Sequence, residues 1–231
     1  MIALDRSPLV LAYHGVGDAP NGDDPRRLIV SPRHLKAQVR LLRRLQYRFV
    51  TAGELADAAA GRLAAVTFDD GWENNLTVAL PLLQQLGVPA TFFLCPGLLG
   101  GQHPDVRGPS GRLLDEEGVQ ELAAAGMELG AHSMTHPDLR TLDDERLEYE
   151  LEGSRREVER LTGRPCLTFA YPYGFADERV IAATGRAGYR LAFGWLPGRW
   201  RPLDAPRLPA PPRHGAARLA LKLLGVRRRG R

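Results

Sequence analysis

Residues 64–71 read Ala-Ala-Val-Thr-Phe-Asp-Asp-Gly, an apolar run that ends in two adjacent aspartates and a glycine. A nearly continuous apolar run of this length predicts a strand buried on both faces, as in a parallel sheet covered by helices. Two neighbouring carboxylates at a buried strand end repel each other and lose hydration, so a divalent cation is their simplest compensation. The alternative is a turn in which an aspartate caps the following helix.

Apolar runs of this kind alternate with helix-like segments along most of the chain. They predict strands at residues 10–13, 47–51, 64–68, 90–95, 127–131, 166–171 and 189–193. The predicted helices include residues 76–86, which Pro81 starts or kinks, and a long charged helix over residues 142–161. This order predicts an α/β fold, in which about seven parallel strands close into a (β/α) barrel with outer helices.

Polar clusters follow four of the predicted strands, at residues 14, 69–70, 132–136 and 171–174. In a parallel barrel the carboxyl ends of the strands meet at one rim, and the chemistry is found there. The sequence therefore predicts a single active site built from these four clusters.

The sequence His132-Ser-Met-Thr-His136 directly follows a predicted strand. On a helical turn the i, i+4 spacing puts both imidazoles on one face, close enough to share a metal, and zinc sites commonly use histidine. Two unrelated surface histidines are the alternative. With one carboxylate of the Asp-Asp pair they make a three-ligand site that leaves positions for water or substrate. The other carboxylate is then free to act as a base.

Residues 169–174, Phe-Ala-Tyr-Pro-Tyr-Gly, form an aromatic turn after the next predicted strand. We expect Tyr171 and Pro172, together with Trp72 beside the aspartates, to contact a sugar-sized substrate. A backbone N–H in this turn is a candidate donor to an oxyanion. A packed loop without these roles is the alternative.

The composition, 231 residues with 44% hydrophobic and 25% charged, excludes disorder for most of the chain. We expect one barrel domain over residues 1–200 and a basic tail with a short helix over residues 201–231. Residues 195–231 carry nine arginines and Lys222 against one acid, Asp204. Leucines at 219, 221, 223 and 224 among these charges favour contact with an anionic membrane surface, and a solvated, partly disordered end is the alternative. A basic tail also suits nucleic acid or a phosphorylated substrate, but nothing else in the sequence indicates binding to nucleic acid.

No apolar run reaches the roughly 20 residues that a membrane span needs. The first residues do not resemble a signal peptide, because Asp5, Arg6 and Pro8 interrupt the apolar stretch. We therefore expect a cytoplasmic protein, with the inner face of the membrane as a further location if the tail binds lipid. The two cysteines, Cys95 and Cys166, are expected to be reduced core thiols.

Three motifs in register, Thr-Phe-Asp-Asp-Gly, His-Ser-Met-Thr-His and Phe-Ala-Tyr-Pro-Tyr-Gly, resemble those of the polysaccharide deacetylases of carbohydrate esterase family 4, which carry the NodB homology domain. The resemblance covers residues 9–194 and includes the N-terminal Tyr-His-Gly-Val segment typical of one branch. It implies a distorted (β/α) barrel and metal-dependent hydrolysis of N-acetyl groups on amino sugars. The implied metal is zinc, with cobalt or nickel in some members.

The resemblance also implies a role for individual residues. Asp69 corresponds to the general base, and the backbone N–H of Tyr173 corresponds to the oxyanion donor. The metal ligands are Asp70, His132 and His136.

Two departures from the family pattern concern the catalytic groups. The family commonly has an arginine that orients the base at the position of Ala170, so that role is either lost or replaced here. The late Leu-x-x-His motif with the acid histidine is not evident, since His214 lies in a different context. In the branch with the Tyr-His-x-Val segment the acid comes from that early strand, so we predict His14 as the general acid. A buried structural histidine is the alternative.

The leading hypothesis is an N-deacetylase whose partner is an N-acetylated carbohydrate: a polysaccharide, an oligosaccharide, or a glycolipid or glycoconjugate precursor. A metal-dependent amidase or esterase with another substrate would carry the same ligands. A non-catalytic carbohydrate-binding protein on the same fold is the third reading, and the missing arginine at position 170 and the absent late histidine motif favour it.

Overall fold

The computed structural model describes residues 8–18, 24, 26–57, 61–103, 106, 108–195, 199–210, 216–221 and 223. Its strands alternate with helices as the sequence predicts. They are β1 (Leu9–Tyr13), β2 (Gly15–Val16), β3 (Ile29–Val30), β4 (Arg48–Val50), β5 (Leu63–Phe68), β6 (Ala90–Leu94), β7 (Glu128–Ala131), β8 (Thr168–Ala170), β9 (Leu191–Trp195) and β10 (Ala205–Pro209).

Seven parallel strands close into a barrel, which confirms the predicted fold class. The ring runs β1-β5-β6-β7-β8-β9-β10 and returns to β1, because β1 pairs with both β5 and β10. Leu11 marks this closure, since it is in register with Val66 on one side and with Leu208 on the other. The short strand β4 pairs with the first half of β5, and β6 pairs with its second half. The predicted strand at 47–51 is therefore not one of the seven, and β2 and β3 form a separate two-stranded sheet.

The seventh barrel strand is β10, which lies within residues 201–231 that the sequence assigned to a basic tail. The barrel therefore extends to Pro209, and the expected boundary at residue 200 is wrong. Two prolines, Pro206 and Pro209, conceal this strand in the sequence because proline cannot donate to a sheet ladder. The structure tolerates them in a strand of five residues that still pairs with β1 and β9.

In the part of the chain that the structure describes, six α-helices before β10 lie outside the barrel, and several begin at capping residues visible in the sequence. Ser31 and Asp177 each accept a backbone N–H at a helix start, and Gly87 ends α2 with a left-handed conformation. The helices are α1 (Pro32–Arg44), α2 (Leu80–Leu86), α3 (Glu116–Ala124), α4 (Asp144–Glu148), α5 (Ser154–Thr162) and α6 (Glu178–Arg186).

Two predicted helices contain π-helical segments. Residues 75–79 are π-helical and continue into α2, where Pro81 lies in the first turn and so causes no break. The long helix predicted at 142–161 starts at Asp144 instead, and a π-helical segment, Tyr149–Gly153, joins α4 to α5. Such segments are rare and are often found beside functional sites.

The apolar residues form one cluster inside the barrel and a larger one between the barrel and its helices. Alternate residues of each strand enter one cluster or the other, as Phe93 and Phe92 of β6 do. Phe93 packs inside the barrel with Phe193 and Ala170, whereas Phe92 faces the helices. Cys95 and Cys166 are both free and buried, as expected.

The described part of the C-terminal segment is a short helix at residues 216–221. Leu219 is fully buried and Leu223 nearly so, and both belong to the outer apolar cluster, whereas Leu221 is 67% exposed. Two of the four leucines expected to face a membrane therefore pack against the protein. The remaining residues of that prediction, Lys222, Leu224 and the arginines at 227–229, lie outside the described residues. Among the helices that are described, none has the length and apolar character needed to cross a membrane.

Candidate metal centre and catalytic site

The polar clusters predicted from the sequence converge at the carboxyl ends of the barrel strands. Asp69 and Asp70 follow β5, and the backbone N–H of Asp69 donates to the carbonyl of Tyr13 at the end of β1 (2.9 Å). His132 follows β7 and donates through its backbone N–H to Leu94 at the end of β6 (2.7 Å). These bonds fix the two motifs at one rim.

Asp70 adopts a left-handed backbone conformation with φ 72°, followed by Gly71 with φ 74°. Successive residues of a regular strand point to opposite faces, so the two carboxylates would separate if β5 simply continued. The turn at Asp70 instead keeps both carboxylates at this rim: Oδ1 of Asp70 lies 3.5 Å from Nε2 of His132, and His132 follows Arg207 among the charged groups that lower the pKa of Asp69 against the effect of burial. The sequence assigned this turn to Gly71, and the structure shows that Asp70 shares it.

Asp70, His132 and His136 bring three ligand atoms within 4.8 Å of one another. Oδ1 of Asp70 lies 3.5 Å from Nε2 of His132 and 3.5 Å from Nε2 of His136. Zinc bonds to nitrogen and oxygen are about 2.0–2.2 Å long, so two ligands at a tetrahedral angle lie about 3.4 Å apart. Oδ1 is also a buried oxygen without a hydrogen-bond partner. The three residues therefore fit a divalent metal in both spacing and donor chemistry.

The two imidazoles are suited to act as neutral ligands. Nδ1 of His132 lies 2.7 Å from the carbonyl of Ala170, which requires a proton on Nδ1 and leaves the lone pair of Nε2 to face Asp70. Burial is the main cause that lowers the pKa of His136, to about 4, so this ring is neutral near pH 7. Burial opposes ionisation of Asp70, but the surrounding histidines, His103 first, hold its pKa below the usual value.

The two histidines do not lie on a helical turn, which corrects the geometric expectation. Residues 132–138 are irregular, and both Ser133 and His136 have positive φ (65° and 63°). The hydroxyl of Ser133 accepts the backbone N–H of His136 (2.9 Å). A tight turn thus achieves the proximity that helical spacing would have given.

The buried carboxylate of Glu150, in the π-helical segment between α4 and α5, holds this turn in place. It accepts the backbone N–H groups of Met134 (2.8 Å) and Thr135 (2.9 Å), and the hydroxyl of Thr135. Gly97 donates to the carbonyl of Met134, at a position where a β-carbon would come within 2.8 Å of that oxygen. The histidine turn is therefore fixed by groups from two other segments.

Asp69 forms a two-pronged ion pair with Arg207 of β10. Nη1 of Arg207 donates to Oδ1 (2.6 Å) and Nη2 donates to Oδ2 (2.8 Å), and both side chains are almost completely buried. Burial alone would raise the pKa of Asp69, but Arg207, followed by His132 and His14, holds it below the usual value. The carboxylate is therefore ionised and fixed in orientation.

Arg207 makes the contact with Asp69 that the resemblance assigned to an arginine at the position of Ala170. Its guanidinium also donates to the hydroxyl of Thr67 (3.2 Å) and stacks against Phe93 and Trp195 (5.5 and 4.8 Å to the ring centres). Sequence reasoning missed this residue because it is one arginine among many in a proline-flanked basic stretch. The signal that could have found it is the pattern Ala-Pro-Arg-Leu-Pro, read as a seventh barrel strand.

His14 follows β1 at the same rim and is half-buried. Its carbonyl accepts the side-chain amide of Asn75 (2.9 Å), which ties the residue to the start of the helix after the Asp-Asp turn. His14 therefore lies at the same rim as the two carboxylates, directly after Tyr13, whose carbonyl accepts the backbone N–H of Asp69. Its role as general acid stays a prediction.

Tyr173 lies at the open side of the site and is 41% exposed. Its ring packs edge-on against His136, with 4.6 Å between ring centres, and its backbone has φ 58°. Trp195 donates through Nε1 to the carbonyl of Tyr173 (2.6 Å) and lies so close to Gly174 that a β-carbon there would clash with the indole. The turn that carries the predicted oxyanion donor is therefore held from behind by Trp195.

The other predicted contact residues lie beneath the site and not on its surface. Tyr171 is completely buried, and its hydroxyl donates to the carbonyl of Leu203 (2.8 Å). Trp72 is also completely buried and donates through Nε1 to Oδ2 of Asp70 (3.2 Å). Pro172 is buried too, in the turn before Tyr173. The structure gives these three side chains a supporting position in place of the direct substrate contact expected from the sequence.

The structure thus combines a closed parallel barrel with a polar site at its rim. The site contains one carboxylate and two imidazoles, beside a buried Asp–Arg pair. The sequence profile described as polysaccharide deacetylase matches residues 56–192, more than half of the chain. The chain therefore belongs to the polysaccharide deacetylase family, as the sequence motifs indicated.

Several members are similar over large parts of this chain. The crystal structure of a polysaccharide deacetylase from Bacillus cereus is 27% identical, has a TM-score of 0.79, and covers 94% of this chain and 68% of that one. The peptidoglycan-N-acetylmuramic acid deacetylase PdaA of Bacillus subtilis is 32% identical over 130 residues, which are 55% of this chain and 44% of PdaA. A chitooligosaccharide deacetylase of Rhizobium leguminosarum bv. trifolii is 32% identical over 129 residues, or 54% and 53% of the two chains. The chain thus spans about half the length of these two curated relatives.

Proposed function

We propose that this protein is a metal-dependent hydrolase that removes N-acetyl groups from an amino sugar. The substrate is a polysaccharide, an oligosaccharide, or a glycolipid or glycoconjugate precursor. The observation that carries the proposal is that the adjacent carboxylates of Asp69 and Asp70 have opposite surroundings. Each oxygen of Asp69 accepts a hydrogen bond from Arg207, and Asp70 presents an unpartnered oxygen to two imidazoles.

Asp70, His132 and His136 would hold the metal, with zinc as the first candidate because of the oxygen and nitrogen donor set. A bound zinc would polarise the acetyl carbonyl and lower the pKa of a water molecule to near neutrality. Three ligands from the protein leave coordination positions for water and substrate, which is the pattern of hydrolytic sites.

Asp69 is the general base that accepts the proton of the attacking water. Its low pKa keeps it ionised, and the nearby positive charge makes a strong base unnecessary. Arg207 holds both carboxylate oxygens, so the base stays aligned without moving during the reaction. The backbone N–H of Tyr173 would donate to the carbonyl oxygen of the acetyl group, on which negative charge develops.

His14 would donate a proton to the leaving amine. Its position directly after β1, at the same rim as Asp69 and Asp70, supports this assignment. The amide bond then breaks to give acetate and a free amino sugar. The peptidoglycan and chitooligosaccharide deacetylases among the relatives support a substrate built from N-acetylated sugars.

The buried Arg207–Asp69 pair argues against a non-catalytic binding protein. The absence of an arginine at position 170 and of the late histidine motif favoured that reading, and Arg207 answers the first of these two points by supplying a guanidinium to Asp69. A carbohydrate-binding surface does not need a buried, oriented carboxylate beside three potential metal ligands. An amidase or esterase with another substrate remains an outcome of the test below.

The test is acetate release by the purified chain loaded with zinc or cobalt. The substrates are chitooligosaccharides of two to six sugars, peptidoglycan fragments and the matching O-acetylated sugars. We expect acetate from N-acetylated substrates in the wild type and none above background from Asp69→Asn. Ester cleavage alone would point to the esterase reading. Sugar binding without any acetate release, in a chain that holds zinc, would contradict the proposal.

A further inference from the structure

His103 contacts the candidate metal ligand Asp70 from a segment that the proposed mechanism does not use. It lies in the loop between β6 and α3 and is nearly fully buried. Its Nε2 lies 3.2 Å from Oδ2 of Asp70. Its backbone N–H donates to the carbonyl of Gly111 (2.7 Å), which fixes the residue within the loop.

Trp72 approaches the same carboxylate oxygen. Its Nε1 donates to Oδ2 of Asp70 at 3.2 Å, and its indole stacks on the His103 ring with 4.6 Å between centres and 22° between planes. Trp72 also packs with Ile29, Val106 and Leu113 in a small apolar cluster separate from the two main ones. The two rings therefore reach Asp70 as one packed unit, the His103–Trp72 pair.

The two oxygens of Asp70 consequently have different environments. Oδ2 faces two ring N–H donors, whereas Oδ1 faces the lone pairs of His132 and His136. Nε2 of His103 must carry a proton to bond a carboxylate, because the carboxylate only accepts. A protonated nitrogen has no lone pair for a metal, so His103 is not a ligand in this arrangement.

We propose that His103 is a positioning residue that, with Trp72, holds Oδ2 of Asp70 and so presents Oδ1 alone to the metal. The inference rests on the proposed function, because it assumes the same three-ligand centre. A ligand carboxylate restrained in this way binds the metal through one oxygen. The second oxygen cannot swing in to occupy a coordination position that water or substrate requires.

The expected effect on metal affinity is large, because the partners of metal ligands typically contribute about 10–100-fold. His103→Phe keeps an aromatic ring to stack on Trp72 but removes the donor. His103→Gln can replace the Nε2–H donor with an amide N–H. The two substitutions therefore separate hydrogen bonding from packing.

The experiment measures zinc affinity by competition with a chromophoric chelator, and the visible absorption spectrum of the cobalt-loaded protein, for both variants and the wild type. His34→Phe, in α1, is the matched control for loss of a histidine. Thermal unfolding of each metal-free variant reports whether it folds. We expect His103→Phe to bind zinc about 10–100-fold more weakly with an altered cobalt spectrum, and His103→Gln to stay close to the wild type.

Wild-type zinc affinity and an unchanged cobalt spectrum in a folded His103→Phe variant would overturn the inference alone. Equal weakening in both variants would also overturn it, since a donor would then not be what matters. Failure of the wild type to bind zinc would instead overturn the proposed function, and this inference with it. If His103→Phe does not fold, Trp72→Phe, which removes the other donor to Oδ2, decides by the same measurements.

Discussion

Asp69 and Asp70 are neighbours in the sequence, yet the fold treats their carboxylates in opposite ways. Both oxygens of Asp69 are bound by Arg207 from inside the barrel, whereas Asp70 is held through one oxygen by His103 and Trp72 from the loops above it. The other oxygen of Asp70 is left without a hydrogen-bond donor. In the proposed mechanism this difference gives identical side chains different roles: Asp69, held by Arg207, is the oriented base, and Asp70, with one open oxygen, is the metal ligand.

The largest expected effect comes from removing the base while keeping the metal. Asp69→Asn should lower the rate of acetate release by about 10²–10⁴-fold, the usual contribution of a general base, because an amide cannot accept the proton of water. Zinc affinity should change far less, since Asp69 is not one of the three ligands. Steady-state kinetics and chelator competition on the same samples measure the two effects. Loss of zinc binding in parallel with activity would show that the two carboxylates do not have separate roles.

Arg207→Met should cost about 3–5 kcal/mol of the free energy of unfolding, because it leaves the buried carboxylate of Asp69 unpaired. Arg207 is what lowers the pKa of this carboxyl, so burial should raise it in the variant. A raised pKa in the folded state means that protonation favours folding, so the loss of stability should be smaller at pH 5 than at pH 7. The acid limb of activity should also move to higher pH. Urea unfolding and pH–rate profiles test both points.

An exchange of two side chains tests whether the position of the arginine matters. Ala170 belongs to the same cluster inside the barrel as Phe93, on which Arg207 stacks. In Arg207→Ala combined with Ala170→Arg, the arginine returns to the position common in the family. We expect this double variant to recover part of the activity that Arg207→Ala alone loses. The acid limb of its pH–rate profile should also lie at a lower pH than that of Arg207→Ala. No recovery would mean that β10 supplies something beyond the charge.

The sequence predicted the three candidate metal ligands better than it predicted the surroundings of Asp69. The candidate ligands follow apolar strands in characteristic motifs. A parallel barrel brings the ends of these strands to one rim, so Asp70, His132 and His136 meet there even though the turns differ from those expected. The helical turn expected for the histidines was wrong, because positive φ at Ser133 and His136 gives the same proximity by another route.

Arg207 and His103 could not be predicted in the same way. Arg207 acts on a residue 138 positions earlier in the chain, and its strand is concealed by prolines that normally end one. His103 lies in a glycine- and proline-rich loop with no local pattern that points to Asp70. Only the closure of the barrel and the packing on Trp72 show where these two side chains go.

Metal binding should stabilise the wild type and leave a ligand variant unaffected. At a free zinc concentration 100 times its dissociation constant, the gain is about 2.7 kcal/mol, which corresponds to a rise in melting temperature of about 5–11 °C for a chain of this size. His136→Ala should lose most of this rise, because the centre keeps only two ligands. His34→Ala, in α1, is the control and should retain it. Equal zinc-dependent shifts in both variants would place the binding site elsewhere.

The smallest expected effect separates Glu150 from its neighbour Glu152, both in the π-helical segment. Glu150→Gln replaces one acceptor oxygen with a donor against the N–H groups of Met134 and Thr135, so it should cost about 1–3 kcal/mol and weaken zinc binding. Glu152→Gln disturbs only an exposed pair with Arg156 and should cost less than about 0.5 kcal/mol. Urea unfolding of the metal-free proteins measures both. If Glu150→Gln matched Glu152→Gln in stability and zinc affinity, the histidine turn would be fixed by its own sequence, and the asymmetry between the two carboxylates would not depend on this helix.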